Sequence, residues 1–247
     1  MSKKSKTETP EEKQERQAKP LGITSDHTIT NIVLTKKQKY LLEIIDDNEI
    51  TIVTGPAGTS KTFIDCYYAV MALKSGKFDK VIFTKPVQEA GEKLGFLPGD
   101  ISSKIDPHYE SFKISIQKML KKSIFDKMVR EGTIEFRPLA YMRGATFDRA
   151  LMILDEAQNA DVRQIMLFTT RMGKDSKVII SGDIHQYDID AFHVALPFFV
   201  NMVNDIKGVG IFEFEQEDIV RNKILIEITT RYEKLKAENK LPKNKYA

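Results

Sequence analysis

One stretch of the chain has the residue types and spacing of a phosphate-binding loop. Residues 55–62 read GPAGTSKT and fit the pattern G-x-x-x-x-G-K-[ST] at every position except Ser60, where a glycine is expected. In such a loop the backbone N–H groups surround phosphate oxygens, the lysine reaches the β- and γ-phosphates, and the last hydroxyl ligates Mg²⁺. The alternative is a glycine-rich turn that binds nothing. The predicted nucleotide-binding residues are Gly55, Pro56, Ala57, Gly58, Thr59, Ser60, Lys61 and Thr62, with Lys61 also catalytic.

Two consecutive carboxylates follow a buried apolar run. The sequence ALMILDE places Asp155 and Glu156 directly after it. An aspartate at this point can hold Mg²⁺ through water, and the adjacent glutamate can orient and deprotonate an attacking water molecule. Thr62 and Asp155 are therefore the predicted metal-binding residues. The alternative is a polar helix start capped by Asp161. A carboxylate aimed at water favours hydrolysis over transfer of phosphate to a small-molecule acceptor.

A third polar group lies in the sequence SGDIHQ, which contains Asp183 and Gln186. An amide there can respond to the γ-phosphate and relay its presence to a bound polymer, so Gln186 is a candidate catalytic residue. A turn in which Asp183 hydrogen-bonds the backbone is the alternative.

The elements that must position these groups alternate along the chain. Short runs rich in β-branched residues are separated by segments with helical spacing, which predicts parallel strands joined by crossover helices in an α/β fold. Ligands bind such sheets at the carboxyl ends of the strands, and all three polar groups follow predicted strands. The predicted strands are 49–55, 80–86, 133–138, 150–156, 177–183 and 210–215. The predicted helices are 36–47, 61–75, 109–131, 161–172 and 217–238.

Composition limits the classes of protein to consider. The 247 residues are 41% hydrophobic, enough for one sizeable core. A single cysteine, Cys66, excludes an internal disulfide, and the absence of long apolar runs or a signal peptide predicts a cytoplasmic protein without a membrane span.

The net charge of +3 divides into +2 in residues 1–20 and +4 in residues 231–247, which leaves 21–230 at −3. We expect a disordered charged tail (1–22), an ATPase domain (23–232) and a basic tail (233–247).

The combined motifs resemble the first RecA-like domain of superfamily 1 helicases and, more closely, the PhoH-like family of predicted ATPases, which is met in bacteria and their phages. The segments that carry the resemblance are GPAGTSKT, TKPVQEAGEKLGFLPGD, PLAYMRGATF, ILDEAQN, TTRMG, SGDIHQYD and EDIVRNKIL. The resemblance implies a P-loop NTPase with a single RecA-like domain that uses ATP and Mg²⁺. It also implies coupling of hydrolysis to binding, translocation or unwinding of RNA or single-stranded DNA, in the host cytoplasm if a phage encodes the chain.

Several residues acquire expected roles from this resemblance. Gln38 corresponds to a glutamine that recognises adenine, although an exposed helix glutamine is an equal alternative. Two segments correspond to ones that contact the nucleic-acid backbone in helicases. Their candidate residues are Thr84, Lys85 and Pro86, with the loop 88–99, and Arg143 and Thr146.

Arg221 resembles an arginine that reaches a γ-phosphate from outside the first domain. The stretch after residue 232 has no room for a second RecA-like domain, so we expect the arginine to act in trans within a homo-oligomeric ring, with a hexamer as the hypothesis. Arg143 and Arg171 are rival candidates. A role in RNA processing would require a separate nuclease partner, or the ATPase would act alone. Two other functions stay open: a P-loop phosphotransferase, and a nucleotide-dependent scaffold with little turnover.

Overall fold

A computed structural model describes residues 32–86, 106–184, 195–220 and 223–238. Its centre is a single sheet of six strands in the order β3-β2-β4-β5-β1-β6, and every neighbouring pair is parallel. The strands are β1 Ile50–Thr54, β2 Lys80–Thr84, β3 Ile134–Phe136, β4 Ala150–Leu154, β5 Lys177–Gly182 and β6 Val209–Glu213. The predicted α/β class is confirmed, and each predicted strand overlaps an observed one.

Helices cover both faces of this sheet. The covering helices are α1 Lys36–Asp47, α2 Lys61–Lys74, α3 Glu110–Gln117, α4 Lys122–Arg130, α5 Val162–Thr169 and α6 Ala195–Val203. A further helix, α7 Lys223–Ala237, follows them in the chain. Short 3-10 turns lie at Asp106–Tyr109, Leu139–Met142, Ala157–Asn159 and Gln216–Asp218. Within the described ranges, no helix is long and apolar enough to cross a membrane.

Side chains that alternate along each strand divide the core into two layers. Val53 of β1 points to the layer formed with α1 to α4, whereas its neighbour Ile52 packs in the layer that includes α5 and α6. Because both faces are covered, the central strands are apolar at nearly every position, as parallel strands usually are. Burial on both faces fixes where each strand ends and therefore where its following polar residues emerge.

The sequence predicts one helix over 109–131, and this prediction is wrong in one respect. The structure has two helices there, α3 and α4, separated at residues 118–121. Phe112, Ile116 and Leu120 are buried at helical spacing, but the next buried residue is Phe125, five positions after Leu120. A continuous helix could not keep both groups on one face. The break resets the phase, and α4 begins after Lys121, whose backbone is extended (ψ 139°).

Helix α6 is absent from the helices predicted from sequence. Its sequence, ALPFFVNMV, is apolar on the side that packs in the core and also on its exposed side, where Phe198 is 57% and Met202 is 43% accessible. An amphipathic pattern of period 3.6 is therefore absent, and that pattern is the main sequence signal for a surface helix.

Candidate functional site

The loop between β1 and α2 passes close to the residue that follows β6. Only glycine fits the first position of this loop. Gly55 has φ +140°, and a Cβ built on it would lie 2.6 Å from both the Cβ and the carbonyl oxygen of Phe214. The backbone N–H of Phe214 donates to the carbonyl of Thr54 at 2.8 Å, which fixes this approach. Both the conformation and the space therefore require glycine here.

Lys61 folds back into the loop that precedes it. Its Nζ donates to the carbonyl oxygens of Gly55 at 2.6 Å and Pro56 at 3.0 Å. Burial lowers the pKa of Lys61, while the carboxylates of Asp183 and Asp155 oppose that shift. The loop thus holds an ammonium group among acids at the carboxyl end of the sheet, where a phosphate chain would compete with the two carbonyls for it.

Ser60 is the N-cap of α2 and adopts the left-handed conformation, with φ 70° and ψ 25°. Its side chain makes no capping hydrogen bond, and the first turn of α2 contains no acidic residue. The first N–H groups of a helix need partners from outside it, and its amino end carries partial positive charge. Nothing in the first turn offsets that charge, which suits the helix to bind an anion.

We predict that Ser60→Gly retains nucleotide hydrolysis or raises it. Glycine adopts φ 70° without strain, although it also gains freedom in the unfolded chain, so the free energy of unfolding should change by less than about 1 kcal/mol. Nucleotide affinity and phosphate release are the measurements. The matched control is Ser75→Gly at the other end of α2, where φ is −79° and glycine relieves no strain. Loss of nucleotide binding in Ser60→Gly but not in Ser75→Gly would show that the Ser60 hydroxyl is a required ligand.

Thr62 and Asp155 meet across the sheet. The Thr62 hydroxyl donates to Oδ2 of Asp155 at 2.9 Å, and the Asp155 side chain is only 2% exposed. A hydroxyl and a carboxylate are the kind of oxygen donors that Mg²⁺ uses when phosphates and water complete its shell. A cationic group, Lys85 Nζ, already lies 3.3 Å from the same Oδ2. The two oxygen donors fit Mg²⁺ bound together with a nucleotide, and the metal-binding role of this pair stays a prediction.

Glu156 is exposed and in the left-handed region, with φ 57°. Its Oε2 accepts a hydrogen bond from Nε2 of Gln158 at 2.7 Å. Oε1 of Gln158 accepts in turn from the backbone N–H of Asp183 at 3.0 Å. Gln158 therefore connects the ends of β4 and β5 and orients Glu156. A Cβ on Gly182 would lie 2.9 Å from Gln158 Oε1, so the small residue at the end of β5 leaves room for this bridge.

A further carboxyl group lies beneath the loop. Asp65 on α2 is fully buried. Burial and the nearby charge of Asp155 raise the pKa of Asp65 to about 8, with partial opposition from the Ser181 hydroxyl and Lys61. The raised pKa favours the uncharged form of Asp65 at pH 7, so the negative charge near Lys61 comes mainly from Asp183, Asp155 and Glu156.

Comparisons with known proteins agree with this geometry. The family model described as PhoH-like protein matches residues 31–233. The chain belongs to the PhoH family. It is 40% identical over 203 residues to the PhoH-like protein of Bacillus subtilis, covering 82% of this chain and 64% of that protein. It is 37% identical over 207 residues to Protein PhoH of Escherichia coli K12, covering 82% and 58%. The chain thus spans about three-fifths of the length of these relatives.

Solved structures of other proteins share the fold of this PhoH-family chain. The large terminase of a thermophilic bacteriophage matches with a TM-score of 0.54 at 12% identity, covering 83% of this chain and 50% of that one. Another crystal form of that terminase, in complex with ADP, matches with a TM-score of 0.50 at 13% identity, covering 82% and 50%. At such low identity the likeness concerns the fold alone, and the RecA-like α/β fold that the resemblance implied is confirmed.

The candidate nucleic-acid residues of the PhoH-family chain fall into two groups. Thr84 is fully buried and its Oγ1 lies 3.5 Å from Sδ of Met142, so its side chain has no open face toward a nucleic acid. Lys85 is 13% exposed and directed at Asp155, and the adjacent Pro86 is half-buried. Lys85 therefore faces the phosphate site in this structure, and contact of Thr84, Lys85 and Pro86 with a nucleic acid stays a prediction. Arg143 and Thr146 are exposed.

Three further predicted residues have mixed outcomes. Gln38 is 6% exposed and belongs to a capping box, in which its Oε1 accepts from the backbone N–H of Thr35 at 3.0 Å. This contact explains the residue without a bound base, so adenine recognition stays a prediction. Gln186 and Arg221 lie outside the described residues, as does the loop 88–99. The residue before Arg221, Val220, donates its N–H to the carbonyl of Gly58 at 3.2 Å.

Proposed function

We propose that this PhoH-family chain binds ATP with Mg²⁺ and hydrolyses the γ-phosphate. The observation that carries the proposal is the meeting of three different groups at the ends of the adjacent strands β4, β5 and β1. These groups are the ammonium of Lys61 held in the loop, the Thr62–Asp155 pair 2.9 Å apart, and Glu156 oriented by Gln158. The bacteriophage terminase of the same fold, solved with ADP, supports a nucleotide as the ligand.

Each group has one task in this proposal. The N–H groups at the start of α2 bind phosphate oxygens, and Lys61 exchanges its two carbonyl partners for the β- and γ-phosphates. Thr62 and Asp155 hold Mg²⁺, which neutralises charge on the phosphates when bound. Glu156 accepts the proton of the attacking water molecule, and Gln158 holds that carboxylate in place through its hydrogen bond.

We further propose that hydrolysis is coupled to RNA or single-stranded DNA. Arg143 and Thr146 are exposed on the segment that follows β3, and this segment is connected to the site. Met142 contacts Thr84, whose carbonyl oxygen accepts the backbone N–H of Asp155 at 3.0 Å. RNA or DNA bound at Arg143 would therefore act on Met142 and, through it, on Thr84, which is hydrogen-bonded to the proposed metal ligand Asp155.

The arginine that completes the site is proposed to be Arg221. Its neighbour Val220 contacts Gly58 of the phosphate loop within one chain, which favours Arg221 over Arg143 and Arg171. Arg171 donates to the carbonyl of Ala145 at 3.2 Å, so part of its guanidinium is already used. Whether Arg221 serves its own loop or that of a neighbour in a ring is decided by measuring activity against solution mass.

The experiment is the rate of phosphate release from ATP, with and without single-stranded RNA or DNA, together with solution mass for wild type and Arg221→Ala. We expect release that depends on Mg²⁺, increases with one of the polymers, and is lost in Arg221→Ala. Activity that persists at dilutions where the protein is monomeric would exclude an arginine acting in trans. Transfer of the phosphate to a small acceptor in place of water would overturn the proposed hydrolysis.

A further inference from the structure

Lys85 is a partly buried cation that has partners on two sides. Its Nζ lies 3.3 Å from Oδ2 of Asp155, donates to Oγ of Ser111 at 2.8 Å, and is 4.9 Å from the ring centroid of Phe112. The side chain is only 13% exposed. The carboxylate belongs to the phosphate site, whereas Ser111 and Phe112 belong to α3. Lys85 thus lies between the site and a helix that contributes none of the site residues.

The ammonium of Lys85 and the proposed metal ion would depend on the same carboxylate group, that of Asp155. Oδ2 of Asp155 accepts the Thr62 hydroxyl at 2.9 Å and also faces Lys85 Nζ. Two cations beside one carboxylate would repel each other, and the repulsion would be strong because Asp155 is 2% exposed and poorly screened by water. Binding of a divalent cation therefore requires Lys85 to lose most of its contact with Asp155.

The surroundings of Lys85 allow that movement. The Ser111 hydroxyl and the face of the Phe112 ring both stabilise an ammonium group and do not depend on Asp155. Because both lie on α3, the cation can withdraw from the carboxylate and still be paired. The strand register explains the arrangement, since Thr84 pairs with Leu154 and the next residues, Lys85 and Asp155, emerge side by side.

We propose that Lys85 is a resident counter-ion of the divalent-cation site, which lowers the affinity of the nucleotide-free site for Mg²⁺ and makes the metal bind together with nucleotide phosphates. The inference rests on the proposed function for the identity of the metal ligands. Nucleotide phosphates add negative charge, which offsets the repulsion between Lys85 and the metal. The free protein would therefore keep Asp155 neutralised without holding a metal ion.

The test measures Mn²⁺ binding without nucleotide by electron paramagnetic resonance, which reads occupancy and not turnover. We expect Lys85→Met to bind Mn²⁺ at least about tenfold more tightly than wild type, because a cation this close to a carboxylate weakens proton binding there by roughly one to three orders of magnitude and should weaken binding of another cation in the same direction. The matched control is Lys80→Met at the other end of β2, where the ammonium pairs with Glu135 at 3.4 Å. Its Mn²⁺ affinity should equal that of wild type.

Two further variants make the result interpretable. Lys85→Gln removes the charge but can still donate a hydrogen bond to Asp155, so it provides the same test if Lys85→Met does not fold. Adding Asp155→Asn to either variant should remove the gain in affinity, which assigns the bound ion to this carboxylate. Equal or weaker Mn²⁺ binding in the folded Lys85 variants would overturn the inference.

Mn²⁺ binding in the presence of ADP separates this inference from the proposed function. If neither wild type nor the variants bind Mn²⁺ with ADP, the metal site itself is wrong and the proposed function fails with it. If wild type and Lys85→Met bind Mn²⁺ with ADP but have the same affinity without it, only the role of Lys85 is wrong. Under the proposal, ADP raises the Mn²⁺ affinity of wild type more than that of Lys85→Met.

Discussion

Replacing Lys61 with alanine is expected to lower the rate of ATP hydrolysis by at least about 100-fold, the usual effect of removing one preorganised donor from a charged transition state. The Lys61 ammonium lies within the phosphate loop, where it donates to two loop carbonyls in the free protein. Its loss removes charge neutralisation from the γ-phosphate and also the contact that closes the loop. Phosphate release and nucleotide affinity measured together would distinguish catalysis from binding.

The matched control for Lys61→Ala is Lys177→Ala. Lys177 is also a partly buried lysine whose ammonium binds backbone carbonyls, in this case those of Ile45, Asp46 and Asn48. Burial lowers the pKa of Lys177 as it does that of Lys61. It begins β5, at the end of the sheet opposite the site, so its loss should reduce stability but not activity in the folded protein. Equal loss of activity in both variants would contradict a special role for Lys61.

The fold was largely predictable because each strand is a short apolar run followed directly by polar residues. In β4 the sequence ALMIL is buried at all five positions, which is what a strand covered on both faces requires. Helices were less predictable where packing overrides periodicity. The interruption between α3 and α4 depends on a change in which residues face the core, and the exposed Phe198 of α6 obscures the pattern on which the prediction relies.

The site was predictable where one local motif defines it and unpredictable where distant strands create it. Lys61, Thr62 and Asp155 have the expected relation because their spacing specifies a loop and a strand end. The position of Lys85 beside Asp155 depends on the pairing of β2 with β4, which no local pattern reveals, so the sequence alone assigns this lysine to nucleic acid. The burial of Asp65 could have been predicted from the sequence, since this residue follows Ile64 and precedes Cys66 in a helix that is apolar on most sides.

Glu156→Gln is expected to retain ATP binding within about threefold while lowering phosphate release by at least about 100-fold, the range of a lost general base. The glutamine has the shape of the glutamate, and its carbonyl oxygen can still accept from Nε2 of Gln158, which lies 2.7 Å from the native carboxylate oxygen. The backbone of residue 156, at φ 57°, need not change. Only the ability to accept a proton is removed, and ATP affinity measured beside the single-turnover rate would show it.

The control for Glu156→Gln is Glu135→Gln on the edge strand β3, where the carboxylate pairs with Arg137 at 2.6 Å and Lys80 at 3.4 Å. That variant should hydrolyse ATP at the wild-type rate. If Glu156→Gln also leaves the rate unchanged, the carboxylate is not the base, and a nucleotide-dependent scaffold with little turnover explains the site better. If it abolishes ATP binding instead, Glu156 acts on the bound ground state and not on water. Only retained binding with lost turnover places Glu156 in the chemical step, because a residue that merely supports the loop would alter both.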